Sequence, residues 1–222
     1  MPIIQLRGIT KIYRQGELQV EVLKGISLEV EQGDFLAIMG ASGSGKSTLL
    51  YIIGCLESPS NGSYHLDGVE ISMLDDKDLS KIRNERLGFI FQSFYLIPYL
   101  TVFENVLVPS IYSKKGLNFK KRAKILLKQV GLEKRLSFLP SELSGGQKQR
   151  TAIVRSLINN PDIVLADEPT GQLDSNSSMQ VMEILEDLNK QGKTIILVTH
   201  DEATASYAKK RVMMKDGLLY PA

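Results

Sequence analysis

Residues 40–47 constrain the fold of this chain more than any other segment. They read Gly-Ala-Ser-Gly-Ser-Gly-Lys-Ser and fit the pattern G-x-x-x-x-G-K-[ST] at every fixed position. A continuous apolar run, Phe35–Met39, precedes this phosphate loop, and apolar positions at helical spacing follow from Lys46 onward. Strand, glycine loop and helix in this order are the context in which such a loop wraps nucleotide phosphates, so the motif predicts a nucleotide-binding α/β core.

The chemistry of the loop can be assigned residue by residue. Its glycines let the backbone curl so that N–H groups point at phosphate oxygens. Lys46 can reach the β- and γ-phosphates, the Ser47 hydroxyl can ligate Mg²⁺, and Thr48 is a further phosphate donor. The candidate nucleotide-binding residues here are Gly40, Ser42, Gly43, Ser44, Gly45, Lys46, Ser47 and Thr48.

A second glycine turn lies at residues 143–147, Leu-Ser-Gly-Gly-Gln, which we call the signature turn. Ser144 and the amides of Gly145 and Gly146 form an anion-binding turn at the start of a predicted helix, and Gln147 completes it. One nucleotide does not need two such turns from the same chain. The pair of motifs therefore predicts that two copies close around two ATP molecules.

Polar residues follow two further apolar strands. Asp167 and Glu168 come after an apolar run, where the first can hold Mg²⁺ and the second can polarise an attacking water. His200 follows the strand of residues 194–199 and can donate to the γ-phosphate. Alone, the acidic pair would better be interpreted as the opening of a turn before Pro169, and a lone His as structural. The phosphate loop favours the catalytic interpretation for all three.

Two more residues are candidates by position alone. Gln92 ends a predicted strand at residues 87–91, where its amide can touch Mg²⁺ or water and act as a sensor between subdomains. Tyr13 precedes a turn at Gly16, and its ring can stack on a nucleotide base. A core or edge aromatic explains Tyr13 nearly as well.

The hydrophobic pattern predicts one domain with an insert. Residues 1–30 alternate apolar and polar positions, which is typical of antiparallel strands. Apolar positions at helical spacing predict helices at residues 103–108, 120–130, 147–157 and 179–188. We expect residues 1–92 and 161–222 to form the nucleotide-binding core, with residues 93–160 as an inserted helical subdomain.

Composition excludes several classes. Lys and Arg number 27 against 25 Asp and Glu, which argues against a basic stripe that binds nucleic acid. Cys55 is the single cysteine, so an intrachain disulfide is impossible, and its apolar neighbours favour a buried bystander. No run approaches the roughly 20 apolar residues that span a bilayer, and the N-terminus lacks a signal pattern.

Together these residues resemble the ATP-binding subunit of an ABC transporter, and the resemblance covers the whole chain in the family's order. It implies a P-loop NTPase (RecA-like) core with an N-terminal antiparallel β subdomain and an inserted α-helical subdomain. It also implies Mg²⁺-dependent ATP hydrolysis by an ATP-dependent homodimer. The implied roles are adenine stacking for Tyr13, the Walker A loop for residues 40–48, the Q-loop for Gln92, the signature for residues 143–147, Walker B for Asp167, the catalytic carboxylate for Glu168, the D-loop for Asp174 and the switch histidine for His200.

A finer resemblance is to the branch of macrolide exporters, lipoprotein-release transporters and antimicrobial-peptide transporters, through residues 88–98, 104–105 and 166–171. Gln172 departs from the Asn or Ala that is frequent in this branch. The resemblance implies integral membrane permease partners that dock near Gln92, at the cytoplasmic face of the membrane. A cell-division type that signals to cell-wall enzymes without transport stays open as an alternative. DNA-handling or ribosomal relatives are disfavoured because they need a coiled-coil insertion or a second ATPase unit.

Overall fold

A computed structural model describes residues 2–16, 18–113 and 115–221. The strands are Ile4–Gln15 (β1), Leu18–Val30 (β2), Phe35–Met39 (β3), Asn61–Leu66 (β4), Val69–Glu70 (β5), Leu87–Ile90 (β6), Ile163–Asp167 (β7), Thr194–Thr199 (β8), Lys210–Lys215 (β9) and Leu218–Pro221 (β10). The helices are Lys46–Ile53 (α1), Asp76–Arg86 (α2), Val102–Leu107 (α3), Phe119–Gln129 (α4), Gly145–Leu157 (α5), Ser175–Lys190 (α6) and Glu202–Ala205 (α7).

A mostly parallel sheet of order β10-β9-β3-β8-β7-β6 forms the centre of the fold. Every residue of β3, β7 and β8 is buried, which explains their continuous apolar runs. The register pairs Met39 with Thr199 and Asp167 with Val198, so these three strands end at the same edge. In open α/β sheets ligands bind outside this carboxyl edge, and the segments that follow β3, β7 and β8 are the phosphate loop, Glu168 and His200.

The antiparallel sheet has the order β2-β1-β4-β5. Its inward positions, among them Ile4, Leu6 and Ile26, are buried as the alternating pattern predicts. They share one hydrophobic core with α1 and with one face of the parallel sheet. This arrangement confirms the predicted α/β nucleotide-binding fold with an N-terminal antiparallel sheet.

The helices between residues 101 and 158 pack around a core of their own, in which Val106, Leu127 and Val154 are fully buried. The observed α3, α4 and α5 begin and end within two residues of the predicted helices. Helix α5 also packs against the parallel sheet through Ile153 and Leu157. It therefore belongs to both bodies and joins them.

No helix within the described ranges is both long and apolar enough to cross a membrane.

Candidate functional site

A cavity of about 620 Å³ opens at the carboxyl edge of the parallel sheet, and we call it the nucleotide cavity. It gathers segments that follow four strands, β3, β6, β7 and β8. Its lining consists of Val22, Ala41, Ser42, Gly43, Gly45, Lys46, Ser47, Thr48, Gln92, Glu168 and His200. The structure thus brings together most of the residues that were predicted from four distant parts of the sequence.

The phosphate loop needs its glycines for space as well as for conformation. Gly40 has a φ of 151°, and a Cβ built there would lie 2.2 Å from the Met214 carbonyl oxygen. Gly45 has a φ of 105° and is the N-cap of α1. The side chains of Leu23 and Met214 lie 3.1 and 3.0 Å from where its Cβ would be. The loop is therefore pressed against β2 and β9 in a shape that other residues would disrupt.

The polar groups of the loop suit a phosphate ligand. The Ser44 hydroxyl is buried and has no hydrogen-bond partner within the described ranges. Such an unpaired group costs free energy, and a phosphate oxygen would satisfy it. Lys46 is only 6% exposed, and its ammonium donates to the Ala41 carbonyl at 2.8 Å. The lysine is thus held back on its own loop, beside the space where phosphates would lie.

Ser47 and Asp167 lie side by side, because the Ser47 hydroxyl donates to Asp167 Oδ1 at 3.0 Å. Burial raises the pKa of Asp167, and hydrogen bonds from Ser47 and Tyr51 oppose that rise. Burial and the neighbouring Asp167 raise the pKa of Tyr51 to about 12, so its hydroxyl stays a donor. Across the parts of the chain that the structure describes, no cluster of three or more His, Cys, Asp or Glu could hold a metal. One hydroxyl and one carboxylate fit Mg²⁺, which takes its other ligands from water and substrate phosphates.

Glu168 is held in a strained conformation beside His200. Its φ is 48°, in the left-handed region that non-glycine residues rarely adopt. Its backbone N–H donates to the Val198 carbonyl at 2.9 Å. Its Oε1 lies 2.7 Å from His200 Nδ1, with the Glu168 side chain 15% and the His200 side chain 65% exposed. The geometry places a carboxylate and an imidazole together at the wall of the nucleotide cavity.

The segment after Gln92 is also strained. Phe94 and Tyr95 have φ values of 50° and 47°. The guanidinium of Arg155, on α5, donates to both of their carbonyls, at 2.7 Å for Phe94. Sequence reasoning missed Arg155, because nothing in its local pattern shows that its partners are carbonyls distant in the chain.

Tyr13 lies at the end of β1, and its ring is outside the lining of the nucleotide cavity. Its hydroxyl donates to Glu57 at 2.6 Å, and the Lys11 ammonium lies 5.1 Å from its ring centroid. Burial, followed by the Glu57 hydrogen bond, raises its pKa, and a hydrogen bond with Thr48 opposes the rise. Tyr13 is 40% exposed, and its hydrogen bond with Thr48 places it beside the end of the phosphate loop.

The signature turn begins α5. The Ser144 hydroxyl accepts from the Gln147 N–H at 3.3 Å, and the Gln147 side chain accepts from the Ser144 N–H at 3.0 Å. A Cβ on Gly146 would lie 2.5 Å from Ser177 Oγ, so this glycine lets α5 approach α6 closely. Gly145 is less crowded, with its nearest side-chain atom at 3.4 Å. None of these residues lines the nucleotide cavity.

Asp174 is the N-cap of α6, where it accepts from the Ser177 N–H at 2.9 Å and the Ser177 hydroxyl at 2.7 Å. These hydrogen bonds lower its pKa. Like the signature turn, Asp174 lies outside the nucleotide cavity of its own chain. The predicted site residues thus fall into two groups. One group lines the nucleotide cavity of this chain, and the other lies outside it.

Comparison with known proteins identifies the family. The model of the family described as "ABC transporter" matches residues 23–171. The macrolide export ATP-binding/permease protein MacB of Bdellovibrio bacteriovorus is 52% identical over 217 residues, which are 98% of this chain and 33% of that protein. The uncharacterised ABC transporter ATP-binding protein YvrO of Bacillus subtilis is 50% identical over 218 residues, covering 98% of this chain and 95% of that one. The chain spans about a third of the length of the MacB relatives.

Solved structures of ABC transporter cassettes match the fold of this chain. The dimeric structure of MJ0796, described as a bacterial ABC transporter cassette, matches with a TM-score of 0.90 at 45% identity, covering 97% of this chain and 96% of that one. A dimeric post-hydrolysis state of the MJ0796 cassette bound to ADP and Pi also has a TM-score of 0.90, at 44% identity and 98% coverage of both chains. The chain therefore belongs to the ABC transporter family and is one of its ATPase cassettes.

Proposed function

We propose that this chain powers an ABC membrane complex by hydrolysing ATP in the nucleotide cavity of a closed dimer. The observation that carries the proposal is the strained Glu168, paired with His200 at 2.7 Å and aimed at a cavity whose floor is the phosphate loop. Strain of this kind persists where the surroundings impose it, and it concentrates at functional sites.

Each residue then has a defined part in hydrolysis. The loop amides and Lys46 bind the phosphates, while Ser47 and Asp167 would hold Mg²⁺. Bound there, Mg²⁺ supplies neutralising charge to the phosphate oxygens. Glu168 accepts hydrogen bonding from the attacking water and withdraws its proton. His200 orients Glu168 through Nδ1 and presents its other ring nitrogen to the γ-phosphate.

Dimer closure is proposed because the signature turn lies outside the nucleotide cavity of its own chain. Ser144 and the start of α5 form an anion-binding helix terminus that has no nucleotide of its own. A second copy would bring its signature turn to the first copy's γ-phosphate, and hydrolysis would remove that bridge. The solved MJ0796 cassettes are described as dimeric, one of them with ADP and Pi bound. Both support the same arrangement for this chain.

A second cavity supports a membrane partner. This partner groove, of about 810 Å³, lies between α2, β6, the strained turn after Gln92 and the end of α5. Tyr95 and Tyr112 line it and are 65% and 78% exposed. Tyr99 and Ile111, which are near these tyrosines in the sequence, are 79% and 73% exposed. Exposed apolar patches of this kind mark interaction sites.

We propose that a segment of a permease subunit fills this groove and places the chain at the cytoplasmic face of the membrane. The name of the MacB relatives combines ATP-binding and permease functions in one protein. Export or extraction of a drug, peptide or lipoprotein is the corresponding activity of the complex. Because the groove borders Gln92 and α5, its occupant would sense the state of the nucleotide.

The ATPase proposal is tested by measuring phosphate release from ATP with Mg²⁺ and with EDTA. Lys46→Ala removes the charge that faces the β- and γ-phosphates, so we expect both nucleotide affinity and turnover to fall by a factor of about 10 or more. The fold should persist, because alanine is a good helix former at the start of α1. Lys124→Ala, at an exposed position of α4, is the matched control and should behave like the parent. Unchanged ATP binding by Lys46→Ala would refute the assignment of the phosphate loop.

A further inference from the structure

We infer that Gln149 is a positioning residue for hydrolysis, which ties the first half of α5 to the backbone beside Glu168 and Gln92. The inference rests on the proposed ATPase function and adds a residue to it. Gln149 lies on α5 and is 0% exposed, although long polar side chains are rarely fully buried.

Its amide nitrogen bridges two loops. Nε2 donates to the Pro169 carbonyl at 2.6 Å and to the Phe91 carbonyl at 3.4 Å. An amide nitrogen carries two hydrogens, one for each acceptor. Pro169 directly follows Glu168, and Phe91 directly precedes Gln92. One side chain of α5 therefore holds the backbone next to both residues, at the ends of neighbouring strands β7 and β6.

The bond to Pro169 acts on a turn that stores strain. Glu168 stays in its left-handed conformation through its N–H bond to Val198 at 2.9 Å and through its carbonyl, which accepts from the Gly171 N–H at 3.1 Å. A conformation of this kind costs on the order of 1–3 kcal/mol and needs support from its surroundings. Gln149 supplies a third hydrogen bond to this turn, through the carbonyl of Pro169. Without it, the turn that carries the carboxylate can relax away from the nucleotide cavity.

Packing alone does not account for an amide at this position. Gln149 Oε1 is buried and unpaired within the described ranges, which carries a desolvation cost. Met or Leu would fill a similar volume beside Ile153 without that cost. The amide is therefore explained by what its donors hold in place.

The location of Gln149 gives it a coupling role as well. Helix α5 begins at the signature turn, where the proposed dimer brings the partner's nucleotide. A rigid displacement of α5 on closure would carry Gln149 with it and shift the backbone beside Glu168 and Gln92 together. Arrival of the partner's nucleotide would thus be linked to the placement of the carboxylate.

The test compares Gln149→Met with a matched control, Asn189→Leu. Asn189 is also a buried amide, 7% exposed, and donates to the carbonyls of Gly33 and Lys193 at 2.8 and 2.9 Å. It lies outside the nucleotide cavity. Both substitutions remove two amide-to-carbonyl bonds from a side chain of similar volume, so general losses of stability appear in both.

For each protein, Tm is measured by thermal unfolding, and kcat, KM and the Kd of ATP are measured at a temperature well below Tm. Gln149→Met should lower kcat on the order of 10- to 100-fold with the Kd of ATP unchanged, because misplacement of a catalytic group by about 1 Å has effects of this size. Asn189→Leu should lower Tm while its kcat stays at the parental value. If Gln149→Met does not fold, Gln149→Leu, which also fills the site without a buried charge, replaces it with the same expectation.

Parental kcat in a folded Gln149 variant would overturn the inference, and so would a weakened Kd with kcat unchanged. Equal losses of kcat in the Gln149 and Asn189 variants would also overturn it, since they would show a purely structural role. These outcomes are distinct from failure of the proposed function, in which the parent itself would not hydrolyse ATP.

Discussion

The backbone of Glu168 has a φ of 48°, a conformation that a non-glycine residue adopts at a cost of about 1–3 kcal/mol. The contacts that support it come from β8 through Val198, from His200 and from the turn that ends at Gly171. The sequence predicts a carboxylate here, because Glu168 comes at the end of a continuous apolar run that is typical of a buried strand. It does not predict this conformation, because the supporting groups are distant in sequence.

Glu168→Gln preserves the shape of the side chain and removes its charge. We expect ATP binding to persist and turnover to fall by a factor of about 100 or more, since the general base is lost. In the presence of ATP, the variant should then accumulate as an ATP-bound dimer, which size-exclusion chromatography detects. Glu183→Gln, on the outer part of α6, serves as control and should turn over like the parent. Parental steady-state hydrolysis by Glu168→Gln would refute the role of this carboxylate.

At the scale of elements, helices α5 and α6 approach each other closely at Gly146. A Cβ there would lie 2.5 Å from Ser177 Oγ and 2.8 Å from Ser177 Cβ. Neither atom can move far, because Ser177 lies in the first turn of α6 and its hydroxyl donates to the N-cap Asp174. Gly146 therefore has a packing role in addition to its proposed contact with a phosphate.

Gly146→Ala should lower the free energy of unfolding by about 1–3 kcal/mol, as overpacking does. Ser177→Gly removes both crowding atoms, so adding it should recover part of that loss despite its own cost in helix propensity. Gly145→Ala meets its nearest side chain at 3.4 Å, an ordinary contact, and is the control. Denaturant unfolding measures the parent, Gly146→Ala, Ser177→Gly, the double variant and Gly145→Ala. Simple additivity of the two substitutions would contradict the close packing.

The helices and strands that could be predicted from the sequence are those with strong hydrophobic periodicity, because the periodic residues form their buried faces. Helix α2 was not predicted, and the physical reason is that it buries no residue fully and has only Leu79 and Ile82 as apolar residues packed against the core, which make a short apolar stripe. Asp75 and Asp76 are its N-cap and first residue, a local signal that was available. Arg155 and Gln149 were missed for another reason. Their partners are backbone carbonyls, which leave no mark on the sequence.

At the scale of the whole molecule, we propose two surfaces for partners, the signature turn and the partner groove. Each adjoins the nucleotide cavity through α5, which begins at Ser144 and lines the groove with Arg155 and Ser156 at its other end. Helix α5 packs in two hydrophobic cores, one against the parallel sheet and one among the helices between residues 101 and 158. In our proposal, movement at either surface would reach Gln92 and Glu168 through this one helix.

The partner groove is tested by Tyr112→Glu, which places a charge where an apolar permease segment would bind. We expect the amount of chain recovered with the permease in purified membranes to fall several-fold, because an unpaired charge is costly to bury. The ATPase rate of the isolated chain should stay unchanged. Met73→Glu, at a residue 80% exposed and outside the groove lining, is the control. Equal recovery of both variants would contradict the docking proposal.

The central claim is that each site takes Lys46 from one chain and Ser144 from another. Ser144→Arg fills the space for the partner's γ-phosphate, so alone it should bind ATP without hydrolysing it. Lys46→Ala should also be inactive alone. A mixed dimer has one intact site and one with both defects, so hydrolysis should return on mixing.

The decisive measurement is the ATPase rate of the two inactive proteins against their mixing ratio at constant total concentration. Replacing the Lys46→Ala protein by a Lys46→Ala, Ser144→Arg double variant is the control, because it leaves no intact site in any pair. The account predicts a maximum near equal amounts with Lys46→Ala and no activity with the double variant. A Ser144→Arg protein that hydrolyses ATP at the parental rate as a dilute monomer would contradict it.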